Sequence, residues 1–127
     1  MIIIDTDILI WILRGKIEFR DQLKKTIFET DGHVYITPIQ AAEIYAGLKI
    51  SEMEMVSEFI NSILCLNIDK KIGILAGRFI QQYSKSNNVT LADAIIAATA
   101  KTWNYKLWTL NRKHYPMFKN NDFYNFS

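Results

Sequence analysis

Apolar residues in this chain fall into short, nearly unbroken runs, separated by longer stretches in which they recur every three or four positions. The runs "MIII", "HVYIT", "CLNI" and "KLWT" read as strands, and a closing "FYNF" as a possible further one. Between them the helical spacing predicts six helices. The first is "DTDILIWILRG", stopped by Gly15. The second covers 17–30, through Ile17, Leu23, Ile27 and Phe28. The others are "TPIQAAEIYAGLK", residues 51–64, a long stretch from about Asp69 to Ser86, and "TLADAIIAATAKTWN". A short helical piece is expected after Asn111. Short apolar strands alternating with helices imply an α/β fold with a mostly parallel sheet, covered by helices on both faces. Ligands of such sheets gather outside the carboxyl ends of the strands, where Asp5 and Thr109 fall; Glu43 lies under two turns into the helix leaving the second strand.

Cap chemistry sharpens two of these elements. Thr37 with Pro38 behind it and Gln40 three residues on is a strong helix start. "TLAD" reads as a second capping box, with Thr90 as cap and Asp93 reaching back. No repeat, linker or low-complexity tract divides the 127 residues, so one domain spanning 1–127 is expected.

Composition excludes several classes. Half of the residues are hydrophobic and two are proline, which rules out a disordered or collagen-like chain, and no apolar run approaches a membrane span. The N-terminus shows no basic leader or cleavage site. Cys65 has no partner for a disulfide and is expected in the core. These features fit a reducing, cytoplasmic setting and no membrane. The net charge is +2. Setting Asp5, Asp7, Glu43 and Asp93 aside leaves a more basic remainder, a layout suited to an enzyme acting on a polyanion and equally produced by a mixed solvated surface.

Each of the four acids has a local explanation. Asp5 can cap the first helix and Asp7 can favour its dipole. Glu43 can sit on a solvated face, and Asp93 can complete its capping box. Taken together they also form a set of hard oxygen donors drawn from separate parts of the chain, the kind that holds Mg²⁺. Gathering them without an ion is costly, since two charges about 4 Å apart repel by roughly 4 kcal/mol at a moderate effective dielectric constant.

With "IIIDTDILIWILRG", "YITPIQAAEIYAGL", "TLADAIIAATA" and "KLWTLNRKHYPMF" in this order, the sequence resembles a PIN-domain ribonuclease of the VapC toxin type over roughly residues 2–118. The resemblance implies a PIN-like three-layer fold and a metal-dependent endoribonuclease serving as the toxin of a type II toxin–antitoxin pair. Asp5, Glu43 and Asp93 would be the catalytic residues. They would hold Mg²⁺ or Mn²⁺, and a water activated there would cut RNA. A small antitoxin and a toxin homodimer are the implied partners. Ile27, Phe28, Phe59 and Ile63 offer apolar surface for such contacts, although the ordinary reading of each is core.

Two departures from the family pattern stand out. Asp7 occupies a position where many members carry Ser or Asn, and the segment after the fourth strand, "TLNRKHYPMF", lacks the family's fourth carboxylate. Thr6, Asp7, Thr109 and Asn111 are therefore read as supporting residues. Asn111 would be a weak neutral ligand, and Asn111→Asp would tighten metal binding. Asp122 lies too far along to substitute. Arg112 and Lys113 are candidate contacts to RNA phosphates. His33 and His114 read as surface or supporting residues, and Trp11, Trp103 and Trp108 as core.

The "DTD" stretch also resembles the acidic pair of haloacid-dehalogenase-like phosphatases, and the length suits a phospho-receiver domain. The further lysine and acidic pair of the first and the lysine of the second are missing. A catalytically weak RNA- or protein-binding module of the same fold is the remaining alternative.

Overall fold

The computed structural model describes residues 1–126. Its centre is a four-stranded sheet in the order β3-β2-β1-β4, formed by β1 (Ile2–Ile4), β2 (Val34–Ile36), β3 (Leu64–Cys65) and β4 (Lys106–Trp108). Every pairing is parallel. Ile2, Ile3 and Ile4 lie opposite Lys106, Leu107 and Trp108, and the Asp5 amide donates to the Trp108 carbonyl at 2.9 Å. The backbone ladder thus carries Asp5 to the carboxyl end of the central strand.

Successive strand residues point to opposite faces, and the core divides accordingly. Ile2 and Ile4 pack with Ile8, Leu9 and Ile12 of α1 (Thr6–Leu13), Leu23 of α2 (Ile17–Glu29), Ile44 of α3 (Pro38–Ala46), and Val56 and Ile60 of α4 (Met53–Ser62). Ile3 and Leu107 pack on the other face with Ile96, Ala97 and Ala100 of α6 (Leu91–Trp103) and with Tyr115 and Phe123. The outermost helix, α5 (Lys70–Asn87), lies on α6 through Ile72, Ala76, Ala94 and Ala98, where small side chains allow close approach. This is the expected α/β architecture with helices on both faces.

Gly15, at φ +83°, makes the left-handed turn that separates α1 from α2. Several local expectations differ from the structure. The third strand is Leu64–Cys65, set earlier than "CLNI". It is an edge strand, so Cys65 is exposed instead of core. "FYNF" forms no strand among the described residues: Phe123 makes an isolated bridge to Leu107, while Tyr124 and Phe126 pack edge-on against Trp108. Trp108 is fully buried but Trp103 is half exposed. Ile27 and Phe28 are exposed, whereas Phe59 and Ile63 pack against the core. Among the described residues no helix is long and apolar enough to cross a membrane.

Candidate active site

Asp5 follows the last residue of β1 and caps α1 in an unusual way. Its Oδ1 accepts the amide of the very next residue, Thr6, at 2.8 Å, whereas a cap side chain ordinarily accepts from the second or third helical residue. Its Oδ2 is turned into the protein, where it accepts the Thr109 hydroxyl at 2.8 Å and the Tyr115 hydroxyl at 2.9 Å. The residue is 8% exposed. Burial raises the Asp5 pKa above the ordinary carboxylate value; the three hydrogen bonds oppose that rise and the charge of Asp93 adds to it. A carboxylate has about four lone-pair sites, so the three donors leave room on Oδ1.

The other acids reach this place by different routes. Gln40 is more than half of a capping box. It accepts the Thr37 amide at 3.0 Å and donates to the Ile4 carbonyl at 3.0 Å, so the start of α3 is tied to the end of β1. One turn later Glu43 accepts the Thr6 hydroxyl at 2.7 Å on the exposed surface. Asp93 lies in the first turn of α6. Thr90 caps that turn through the Asp93 amide at 3.1 Å, but the reciprocal half of the expected box is not made, so the Asp93 carboxylate is not committed to its own helix end. His114 Nδ1 stands 3.9 Å from its Oδ2.

Asp7 is bound to the segment after β4. Its Oδ1 accepts the Ile8 amide at 2.7 Å, and its Oδ2 accepts the Leu110 amide at 2.9 Å and the Asn111 side-chain amide at 3.0 Å. Burial, followed by the charge of Asp5, pushes its pKa up to about 6.

The structure therefore joins Asp5, Thr6, Asp7, Thr109 and Asn111 in one network, with Glu43 attached through Thr6; Asp93 makes no hydrogen bond to this network and bears on it only through its charge, which adds to the rise in the Asp5 pKa. Arg112 and Lys113 are exposed and lie outside it. Arg112 is occupied elsewhere, donating to Asn125 at 2.6 Å with its guanidinium carbon 4.7 Å from the Phe123 ring centre. Sequence reasoning passed over Tyr115. Its ring is buried at 1% exposure between the sheet and Phe118, and its pKa is raised by burial and then by the charges of Asp5 and Asp93.

The donors fit a hard divalent cation, being carboxylates, hydroxyls and an amide with neither sulfur nor lysine among them. Among the described residues no lysine or arginine pairs with Asp5, Asp7, Glu43 or Asp93. No three acidic, histidine or cysteine side chains among the described residues are grouped so that they could hold a metal ion, so Asp5, Glu43 and Asp93 do not form a ready ligand set. Mg²⁺ sites commonly use one or two carboxylates and keep several waters.

An α/β protein with an acidic cluster at the carboxyl edge of its parallel sheet is thus defined by its own geometry. Residues 2–120 match the family model described as PIN domain, and the chain belongs to that family. It is 35% identical over 120 residues to Ribonuclease VapC10 of Mycobacterium tuberculosis, which covers 94% of this chain and 89% of that protein. Ribonuclease VapC1 of Methanocaldococcus jannaschii is 32% identical over 120 residues, covering 93% and 81%. Among solved structures, a toxin–antitoxin complex from Klebsiella pneumoniae aligns with a TM-score of 0.75 at 26% identity over 91% of each chain. DNA-bound VapBC from Salmonella typhimurium aligns at 0.76 with 18% identity over 90% and 89%, a likeness of fold alone.

Proposed function

We propose that this protein is a metal-dependent endoribonuclease of the cytoplasm and the toxin of a type II toxin–antitoxin pair. The observation that carries the reading is Asp5: a buried carboxylate at the sheet edge, crowded by Asp7 and Asp93 and paired with no cation of the chain. Relatives named ribonucleases and a neighbour titled a toxin–antitoxin complex support the substrate class and the antitoxin.

Asp5, Asp93 and Glu43 are the residues that would hold Mg²⁺ or Mn²⁺. Such an ion lowers the pKa of a bound water and stabilises charge on a phosphoryl oxygen. The work of the chain is positional. Thr109 and Tyr115 fix Asp5 Oδ2, the Thr6 amide fixes Oδ1, and the Thr6 hydroxyl holds Glu43 toward the same edge. Asp93, whose carboxylate is not committed to its own helix end, would be left to hold the ion. Lys113 and Arg112, on the exposed segment beyond Asn111, are the proposed contacts to RNA phosphates, Arg112 after release from Asn125. The antitoxin would cover this edge, and the exposed Ile27 and Phe28 would serve contacts between protein chains, including those of a homodimer.

The purified protein should cleave a mixed RNA pool with Mg²⁺ or Mn²⁺, should lose that activity in EDTA, and should lose it on Asp5→Asn. Cleavage that persists in EDTA or survives Asp5→Asn would sink the reading. The absence, among the described residues, of any three-residue group placed to hold a metal ion favours a second reading, a catalytically weak RNA- or protein-binding module; RNA retained without cleavage under every metal condition would select it.

A further inference from the structure

Asp7 accepts more donors than a first-turn acid needs, and all but one come from the segment after β4. Leu110 and Asn111 donate to its Oδ2 at 2.9 and 3.0 Å, and the Thr109 hydroxyl stands 3.4 Å from the same atom. Thr109 has one hydroxyl proton, and Asp5 Oδ2 lies closer, at 2.8 Å. The Asn111 backbone amide donates to Thr109 Oγ1 at 3.0 Å, occupying a lone pair and helping to aim that proton. Two carboxylates therefore compete for one hydroxyl, and Leu110 and Asn111 decide the outcome by satisfying Asp7 first. A second carboxylate at 111 would stand about 3 Å from Asp7 with no proton between them, where like charges repel strongly.

We propose that Asp7 and Asn111 act as one acid–amide pair that positions Asp5 through Thr109, with the charge of the pair on α1 and its neutral member on the loop. The loop after β4 lacks a carboxylate because Asp7 already carries that charge across the contact. Asp7 and Asn111 are positioning residues here; the kinetic part of the inference rests on the nuclease reading above, while the pairing itself does not. On this pairing Asn111→Asp would not be expected to tighten metal binding, because the new acid would meet Asp7 first.

The test uses the full chain in four forms: parent, Asp7→Asn, Asn111→Asp and the exchanged double variant. Thermal midpoints are measured without metal, and cleavage of a mixed RNA pool with Mn²⁺ is measured well below every midpoint. Asn111→Asp should lower the midpoint and reduce kcat by about 100-fold with KM nearly unchanged, since displacement of a positioned group is felt in the chemical step. The exchange restores the acid–amide contact but turns the Leu110 amide toward solvent, so it should recover at least about tenfold in kcat over Asn111→Asp, together with part of the midpoint. A double variant no better than the worse single one would overturn the pairing. A folded Asn111→Asp protein with parental kcat would overturn the positioning role. If the parent cleaves no RNA, the nuclease reading fails by itself, and recovery of the midpoint in the double variant still upholds or refutes the pair.

Discussion

Asp5 ahead of α1 and Asp69 ahead of α5 occupy the same local position, a carboxylate at the cap of a helix that follows a strand. Asp69 is exposed and accepts the amide of Ile72, the third helical residue, at 2.9 Å. That is ordinary capping. Asp5 is buried and makes only the contact to its own neighbour, while its other oxygen takes two hydroxyls from the far end of the sequence. The backbones at the two caps are both extended. What separates an ordinary cap from the proposed site carboxylate is the direction of the second oxygen and what stands in front of it, and a local sequence window contains neither.

The strongest test of the contrast is Asp5→Asn, for which cleavage should fall by roughly 1,000-fold or more. The amide keeps an oxygen toward Thr109 and Tyr115 but sets an NH₂ against the Thr6 amide, so the lost contact offsets the relief of a buried charge, and the thermal midpoint should move little. A variant inactive only because it has melted would make Asp5 a second Asp69.

Next in size is Tyr115→Phe. The change removes one of the hydroxyls that hold Asp5 Oδ2 and should cost about 1.5–3 kcal/mol, the usual range for a hydrogen bond to a charged group. Cleavage should drop about tenfold. Because that hydrogen bond lowers the Asp5 pKa, its loss raises the pKa, and the acid limb of the pH–rate profile should shift toward higher pH. An unmoved limb would show that Tyr115 contributes packing alone.

Much of this was legible beforehand, and the limit is physical. The alternation of "MIII", "HVYIT" and "KLWT" with helical spacing located three strands, and Thr37 with Gln40 located a helix start that the structure keeps. Asp5 and Thr109 meet because parallel strands deliver their carboxyl ends to one edge, and Glu43 joins them through Thr6, whereas Asp93 comes from the first turn of α6, which follows another helix. Asp93 was readable as ligand or box partner, and only the structure decides that half of the box is unmade. Tyr115 was invisible because a buried aromatic in "KHYPMF" is ordinary core by pattern, and its hydroxyl acquires meaning only when 110 residues of chain bring Asp5 to it at 2.9 Å. The exposure of Cys65 was not legible, because edge position depends on strand order, which local periodicity does not encode.

A subtler difference between the junctions lies in the pH dependence of stability. Asp7, held up to about 6 in the folded protein, titrates in the unfolded chain near 3.9. Its charged form is therefore disfavoured by folding, and the penalty is complete above about pH 6. As the pH falls toward 4 the folded protein takes up a proton that the unfolded chain does not, and stability rises. Relative to Asp7→Asn, the parent should gain thermal midpoint between pH 7.5 and 4.5. Asp5 titrates in both proteins and cancels to first order, so a flat difference would mean that Asp7 is not strained by burial.

The smallest effect belongs to the junction that is only a cap. Asp69→Ala should destabilise the protein by about 1 kcal/mol and lower the midpoint by a few degrees, with cleavage measured below that midpoint unchanged. The loss should not vanish, because α5 opens with Lys70 and Lys71, two cations at the positive end of the helix dipole, and Asp69 offsets them. Asp69→Asn keeps the cap geometry and removes the charge, so it should fall between parent and alanine, with a difference from the parent that shrinks in high salt as the charges are screened. Asp5 should behave in the reverse manner, with little change in stability and a large loss of cleavage. If Asp69→Ala impaired RNA cleavage while fully folded, the carboxylates at the two junctions would differ only in degree, and the direction of the second oxygen would no longer separate a cap from a site.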